Sequence, residues 1–250
     1  MSFQIGFKHF PFKQIKLNPS NFSNIEDFCI VQLSDLHLNK DVSLEYIHKL
    51  VQKINEIKPN LVVFTGDILQ TSANNIKEHI NAFKALHVES YYVSGNHDVV
   101  YGLKDLKILM ENADVKCLDN SIVTLHVEDE ILQLVGLSDR YSFVRGIKRP
   151  IKELFAKLDK TLPTILLAHQ PKDAEYIKDN KIDIQLSGHT HGGQIYPFNL
   201  LVKLFQPYFS GLYKHNKTLL YVTNGLGYWG IKFRYKAPSE IPIIFINSSF

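Results

Sequence analysis

The segment Gly188-His189-Thr190-His191-Gly192-Gly193-Gln194 follows a short apolar run and sets two imidazoles two residues apart. In extended chain, residues i and i+2 project to the same side, so His189 and His191 can reach neighbouring points of one cleft. That spacing suits metal ligation, although an isolated pair of this kind more often belongs to a solvated turn. This pair is not isolated. Apolar runs also lead into Ser34-Asp35-Leu36-His37, Thr65-Gly66-Asp67, Ser94-Gly95-Asn96-His97-Asp98 and His169-Gln170-Pro171. Asp, Asn and Gly are ordinary turn residues, so any one of these reads as a strand end. Five with the same logic point to a common site.

The elements that must position these groups can be read from periodicity. In open α/β sheets the ligand crevice lies outside the carboxyl ends of the strands, so the five turns should converge. Leu44, Ile47, Leu50, Val51, Ile54 and Ile57 share one face of an amphipathic helix over 42–58, which ends before Pro59. Helices are also expected over 75–86, 103–112, 151–158 and 171–179. A hairpin is expected from 122–127 and 131–137 across Glu128-Asp129-Glu130, with closing strands at 219–222, 231–235 and 243–247. The converging side chains are Asp35, His37, Asp67, Asn96, His169, His189 and His191. Mixed imidazole and carboxylate suits Mn, Fe, Zn or Ni better than Ca or Mg alone, and a set without Cys argues against a closed structural zinc site.

In this order, Asp35-Leu36-His37, Gly66-Asp67, Gly95-Asn96-His97-Asp98, His169 and Gly188-His189-Thr190-His191 resemble the motifs of the calcineurin-like metallophosphoesterases. The longer stretch 186–194, with His169-Gln170-Pro171 before it and Tyr221-Val222-Thr223-Asn224-Gly225-Leu226-Gly227 after it, is similar to the bacterial phosphodiesterase branch of that superfamily. The resemblance implies an α/β fold, a four-layer αββα sandwich of two mixed sheets flanked by helices. It also implies two divalent ions, manganese foremost and iron, zinc or nickel as alternatives. By the family pattern one ion is held by Asp35, His37, Asp67 and His191, and the other by Asp67, Asn96, His169 and His189, with Asp67 bridging. His97 is then the general acid toward the leaving oxygen, or a stabiliser of the charge developing there. Asp98 would orient His97 and keep it protonated, the alternative being a helix N-cap.

The implied reaction is hydrolysis of a phosphodiester or pyrophosphate by a metal-activated water. By analogy within the superfamily, a nucleotide-lipid such as UDP-2,3-diacylglucosamine, of the lipid A pathway, is an attractive substrate. A nuclease or nucleotide phosphodiesterase is the second reading, and a non-catalytic binding module of the same fold the third. The complete ligand set and His97 stand against the module. A net charge of +3 gives nucleic acid little to hold.

Composition fits one enzyme domain over 1–250, with 45% hydrophobic and 21% charged residues. Two cysteines, Cys29 and Cys117, give no disulfide framework and suit a reduced compartment. No run of about eighteen apolar residues and no leader pattern is present, so a cytoplasmic chain is expected. The stretch 196–235 is dense in aromatics interleaved with Lys203, Lys214, Lys217, Lys232 and Arg234. It reads either as core or as a wall for an acyl chain, a base or the inner membrane surface, core being favoured. The same two readings hold for Phe3, Phe7, Phe10 and Phe12, mixed with Lys8 and Lys13. Gly192 and Gly193 are candidates to bring backbone amides to a phosphate. Asp139 and Arg140 are candidates for substrate contact, a capped turn being favoured.

Overall fold

The computed structural model describes residues 3–5, 9–127, 129–178 and 182–247. Expectations for Phe7, Lys8, Glu128 and Asp179 fall outside the described residues. So do those for the side chains of Phe3, Phe198 and Phe205.

Two six-stranded mixed sheets lie face to face. The first runs Phe12–Leu17, Ile241–Ile246, Phe28–Leu33, Leu61–Thr65, Ser90–Val93 and Val115–Cys117. The second runs Gly211–His215, Thr218–Val222, Ile184–Ser187, Thr164–Ala168, Glu130–Leu137 and Ser121–Val127. The central strands Phe28–Leu33, Leu61–Thr65 and Ser90–Val93 are parallel, as are Glu130–Leu137, Thr164–Ala168 and Ile184–Ser187. These strands are buried on both faces, which is why they read as continuous apolar runs rather than alternating ones.

Three apolar clusters separate the layers. Ile30, Val63, Tyr91, Leu134, Ile165 and Leu186 meet between the sheets. Leu50, Ile54, Leu106 and Met110 cover the outer face of the first sheet from the helices Leu44–Ile57 and Leu103–Asn112. Ile151 and Leu154 of the helix Ile151–Ala156 cover the second. The result is the four-layer αββα arrangement.

The helix Leu44–Ile57 starts where Ser43 accepts from Tyr46 N and stops at Lys58, whose φ of 53° is left-handed. The helix expected over 75–86 is instead broken into Ala73–Ile76, Lys77–Asn81 and Ala82–Ala85, the first and last being 3-10. Ile80, Phe83 and Leu86 recur every three residues, a spacing that 3-10 turns satisfy as well as an α-turn. Pro171–Tyr176 is likewise 3-10, with no side-chain cap to start an α-helix. The strand expected over 231–235 is only Phe233–Tyr235, because the preceding loop is held elsewhere, as described below. Among the described residues, no helix is long and apolar enough to cross a membrane.

Candidate metal centre

All five ligand-bearing turns leave the C-terminal ends of parallel strands, on one rim of the sandwich. Close approach of the turns demands glycine at two points. A Cβ on Gly95 would stand 2.2 Å from Asp67 Oδ1, and one on Gly188 would stand 2.0 Å from Ser34 Oγ and 2.2 Å from Asp35 Oδ2. The turns are also strained: Asp35, His37, Asp67, His189 and His191 all have φ between 45° and 73°. Few residues other than glycine adopt that region, and it persists where surrounding structure over-determines it.

The turns bring Asp35, His37 and His191 into one ligand set and Asp67, His169 and His189 into another, and His97 joins His37 and Asp67 between them. In the first, His191 Nε2 lies 3.0 Å from His37 Nε2 and 3.3 Å from Asp35 Oδ1. Asp67 Oδ2 stands between the sets, 3.7 Å from His37 Nε2 and 3.3 Å from His169 Nε2. Asn96 lines the adjoining cavity, its Oδ1 is buried without a hydrogen-bond partner, and buried His169 Nε2 has none either. Buried polar atoms are rarely left unpaired without a functional reason. The donor set therefore fits divalent cations.

Neighbours fix which nitrogen each ring offers. His169 Nδ1 donates to Thr65 O at 2.7 Å and His37 Nδ1 donates to Gln70 Oε1 at 2.7 Å, so both rings turn Nε2 inward. The Arg234 guanidinium stands 3.0 Å from His191 Nδ1 and donates to the His191 carbonyl at 3.1 Å, so it holds that residue's main chain beside the centre. Asp35 is oriented by Ser34 Oγ and by His189 N. Asp67 Oδ1 accepts from His97 N at 2.8 Å.

Burial pushes the Asp35 carboxyl up to about 6 and lowers His37 and His189 to about 3. Burial would also raise Asp67, but His169, His37 and His97 outweigh it and hold the carboxyl below the usual carboxylate range. His169 is pulled down by burial and raised well above the ordinary imidazole value by Asp67, Asp35 and Asp139. Asp67 and His169 thus favour each other's charged forms across 3.3 Å, while burial disfavours charge on His37 and His189.

His97 stands against the ligands, its ring edge-on to His37 at 4.6 Å, its Nδ1 buried and unpartnered, and burial lowers its pKa. It lines a cavity of about 260 Å³ with Asp67, Asn96, His189, His191 and Trp229. Asp98 does not reach it. The Asp98 carboxylate accepts from Leu69 N at 2.9 Å, Tyr92 Oη at 2.8 Å and Gly95 N at 2.9 Å, so it caps the helix Asn96–Tyr101 and ties that turn to the Asp67 loop. Asp98 is the third residue of that helix, whose N-cap is Gly95, so it is neither the N-cap itself nor a partner of the His97 ring: three donors converge on its two oxygens.

The remaining expected contacts resolve similarly. Gly193 lines the cavity, but its amide donates to Thr190 O and that of Gly192 to Thr190 Oγ1, so neither N–H is offered to a ligand. Asp139 is buried, accepts from Tyr141 N and Gln170 Nε2, and belongs to the capped turn. Arg140 pairs with Asp173 and Glu175 beside a separate cavity, away from the ligand sets. The segment 196–235 divides between the two roles weighed for it. Tyr221 and Tyr228 are buried, whereas Tyr196, Leu204, Trp229 and Ile231 are exposed. Arg234, grouped with the basic residues of that stretch, is 1% exposed.

Gln70, Arg234 and the Thr65 carbonyl were not singled out for the centre by sequence. Gln70 follows an apolar run without a motif, Arg234 sat among surface-like lysines, and a backbone carbonyl leaves no mark in side-chain types.

Comparison with known proteins agrees with this geometry. The chain is 37% identical over 235 residues to an uncharacterized metallophosphoesterase of Helicobacter pylori, covering 91% of this chain and 62% of that protein, so it spans about three fifths of that relative's length. It is 33% identical to the uncharacterized metallophosphoesterase YkuE of Bacillus subtilis, covering 90% of this chain and 80% of YkuE. It is 27% identical to the UDP-2,3-diacylglucosamine pyrophosphatase LpxG of Chlamydia muridarum, covering 90% and 85% of the two chains. Among solved structures, the Haemophilus influenzae NAD nucleotidase superposes with a TM-score of 0.57 at 16% identity, covering 80% of this chain and 50% of that one, a likeness of fold. The family model for calcineurin-like phosphoesterases matches residues 29–193, the stretch that contains every ligand of both sets. This chain therefore belongs to the calcineurin-like phosphoesterase family.

Proposed function

We propose that this chain is a metal-dependent phosphoesterase that hydrolyses a phosphodiester or pyrophosphate at a centre for two divalent ions. The observation that carries this reading is the position of Asp67, whose Oδ2 faces His37 in one ligand set and His169 in the other. One ion would be held by Asp35, His37, Asp67 and His191, the other by Asp67, Asn96, His169 and His189. Manganese is the proposed ion, and iron, zinc and nickel suit the same donors. Such a pair supplies Lewis acidity toward phosphoryl oxygens and lowers the pKa of a water.

The side chains do the rest. His97, in the cavity wall beside Asp67, is placed to hold a proton for the leaving oxygen or to stabilise charge developing on it. Its backbone amide keeps Asp67 turned toward both sets. Val202, Gln206 and Trp229 form a wall of the same cavity and add no charge. Trp229 also borders a second cavity of about 350 Å³ with Ile195 and Ile231. Apolar walls next to the ligands favour an ester that carries an apolar arm, in line with the LpxG likeness. We therefore favour a lipid-linked nucleotide such as UDP-2,3-diacylglucosamine, reached from the inner face of the membrane with Trp229, Ile231 and Leu204 toward the lipid.

Hydrolysis of bis-p-nitrophenyl phosphate beside p-nitrophenyl phosphate tests the reading, on metal-stripped protein with Mn²⁺ restored and His97→Ala as control. Mn²⁺-dependent diester cleavage that falls sharply in the variant supports it. Absence of cleavage of either ester and of the nucleotide-lipid, with two ions bound, overturns it.

A further inference from the structure

His191 is held unlike the other ligands. It shares the left-handed backbone of Asp35, His37, Asp67 and His189, at φ 53°, but no side-chain amide or carbonyl oxygen is placed on its Nδ1 as on His37 and His169. What meets it is a guanidinium. Arg234 NH1 donates to His191 O at 3.1 Å, and NH2 lies 3.0 Å from His191 Nδ1. The same fork shares its remaining N–H groups among the carbonyls of Gly227, at 2.6 Å from NH2 and 3.0 Å from Nε, Asn224 at 2.9 Å, and Gly225 and Ala237 at 3.3 Å. Arg234 reaches this position because the strand Phe233–Tyr235 turns it inward while Phe233 and Tyr235 stay half-buried. The loop it gathers is stapled a second time: Gln194 Nε2 donates to Trp229 O and Ile231 O, and Trp229 N donates back to Gln194 Oε1.

We propose that Arg234 is the positioning residue of the first ligand set, fixing the backbone of His191 so that its ring faces His37 and Asp35, and locking it to the loop that carries Trp229. A planar fork with five N–H donors can bind several carbonyls at once in fixed directions, whereas a lysine ammonium cannot. A left-handed histidine is kept in place only by contacts that over-determine it, and Arg234 supplies one to its main chain, the bond to His191 O. The inference rests on the two-ion reading above. It assigns Arg234 to one ligand set and not to the other, because none of its contacts falls on Asp67, Asn96, His169 or His189.

The test is Mn²⁺ binding by calorimetry and metal analysis on metal-stripped wild type, Arg234→Lys, Arg234→Met, His191→Ala and the double variant His191→Ala/Arg234→Lys. Glu240→Gln is the control, since Glu240 accepts from Asn224 N in the same loop but does not touch His191. The expected result is two ions in wild type and Glu240→Gln. Both Arg234 variants should keep one ion at wild-type affinity and bind the other at least tenfold more weakly, and Arg234→Lys should add nothing to His191→Ala. Two ions at wild-type affinity in Arg234→Lys would overturn the proposal. So would parallel weakening of both ions, additivity with His191→Ala, or unfolding of both Arg234 variants while Glu240→Gln folds. A wild type that binds fewer than two ions would instead refute the two-ion reading, and this inference with it.

Discussion

Asp98→Asn separates the two roles that a carboxylate beside His97 could play. Oδ2 receives Tyr92 Oη and Gly95 N, and Oδ1 receives Leu69 N, all at 2.8–2.9 Å and all buried. An asparagine keeps the shape and can leave its oxygen on the Tyr92 and Gly95 side. Its NH₂ then faces the Leu69 N–H, leaving one buried donor unsatisfied, a loss of about 1–3 kcal/mol. For a chain of this size each kcal/mol shifts the midpoint by about 2–4 °C, so Tm should fall by about 2–12 °C in thermal denaturation of the metal-stripped protein. Leu69 is two residues beyond Asp67, so Mn²⁺ affinity should fall as well, while the pH profile of kcat keeps its shape. Wild-type Tm and Mn²⁺ affinity combined with a displaced pH profile would refute the capping argument and restore Asp98 as the partner of His97.

Three further outcomes follow from the same geometry. Gly188→Ala drives a methyl into Ser34 Oγ and Asp35 Oδ2, so it should lose about 1–3 kcal/mol in urea unfolding and lose the Tm increase that Mn²⁺ gives wild type; an unchanged Mn²⁺-dependent Tm would show that the turns are not so tightly apposed. Gln70→Leu removes the acceptor on His37 Nδ1 and should weaken Mn²⁺ binding about 10–100-fold by calorimetry, with wild-type affinity counting against that role. Burial raises the Asp139 carboxyl to about 6 against an unfolded value of about 3.9, so the folded state holds its proton longer and this contribution, present below pH 4, is lost as pH rises through 6. Metal-stripped Asp139→Asn should therefore gain on wild type by up to about 3 kcal/mol between pH 4 and 7 in urea unfolding, and a pH-independent difference would contradict it.

The fold and the ligands were legible because both rest on local rules. Doubly buried parallel strands leave apolar runs such as 61–64 and 164–168, and their C-terminal turns had to carry whatever chemistry the rim performs. The helix Leu44–Ile57 announced itself by its spacing and its stop before Pro59. Continuous helix over 75–86 was a misreading, because a three-residue recurrence does not distinguish α from 3-10 turns. Asp98 could be read either way from sequence, since a carboxylate after Gly-Asn-His caps a helix as readily as it orients a ring, and only the positions of Tyr92 and Leu69 decide. Arg234 was hidden for a different reason. An arginine among lysines and aromatics looks like a surface charge until the fold supplies enough carbonyls to bury it, and those carbonyls come from residues up to 43 positions away.

The central claim is that Asp67 serves two ions at once. Its most direct test is electron paramagnetic resonance during Mn²⁺ titration of the metal-stripped protein, wild type beside Asp67→Asn. Two equivalents with an exchange-coupled signal in wild type, and at most one uncoupled ion in Asp67→Asn, is the predicted result. A single uncoupled Mn²⁺ at saturation in wild type, or a coupled pair that survives in Asp67→Asn, would contradict the account.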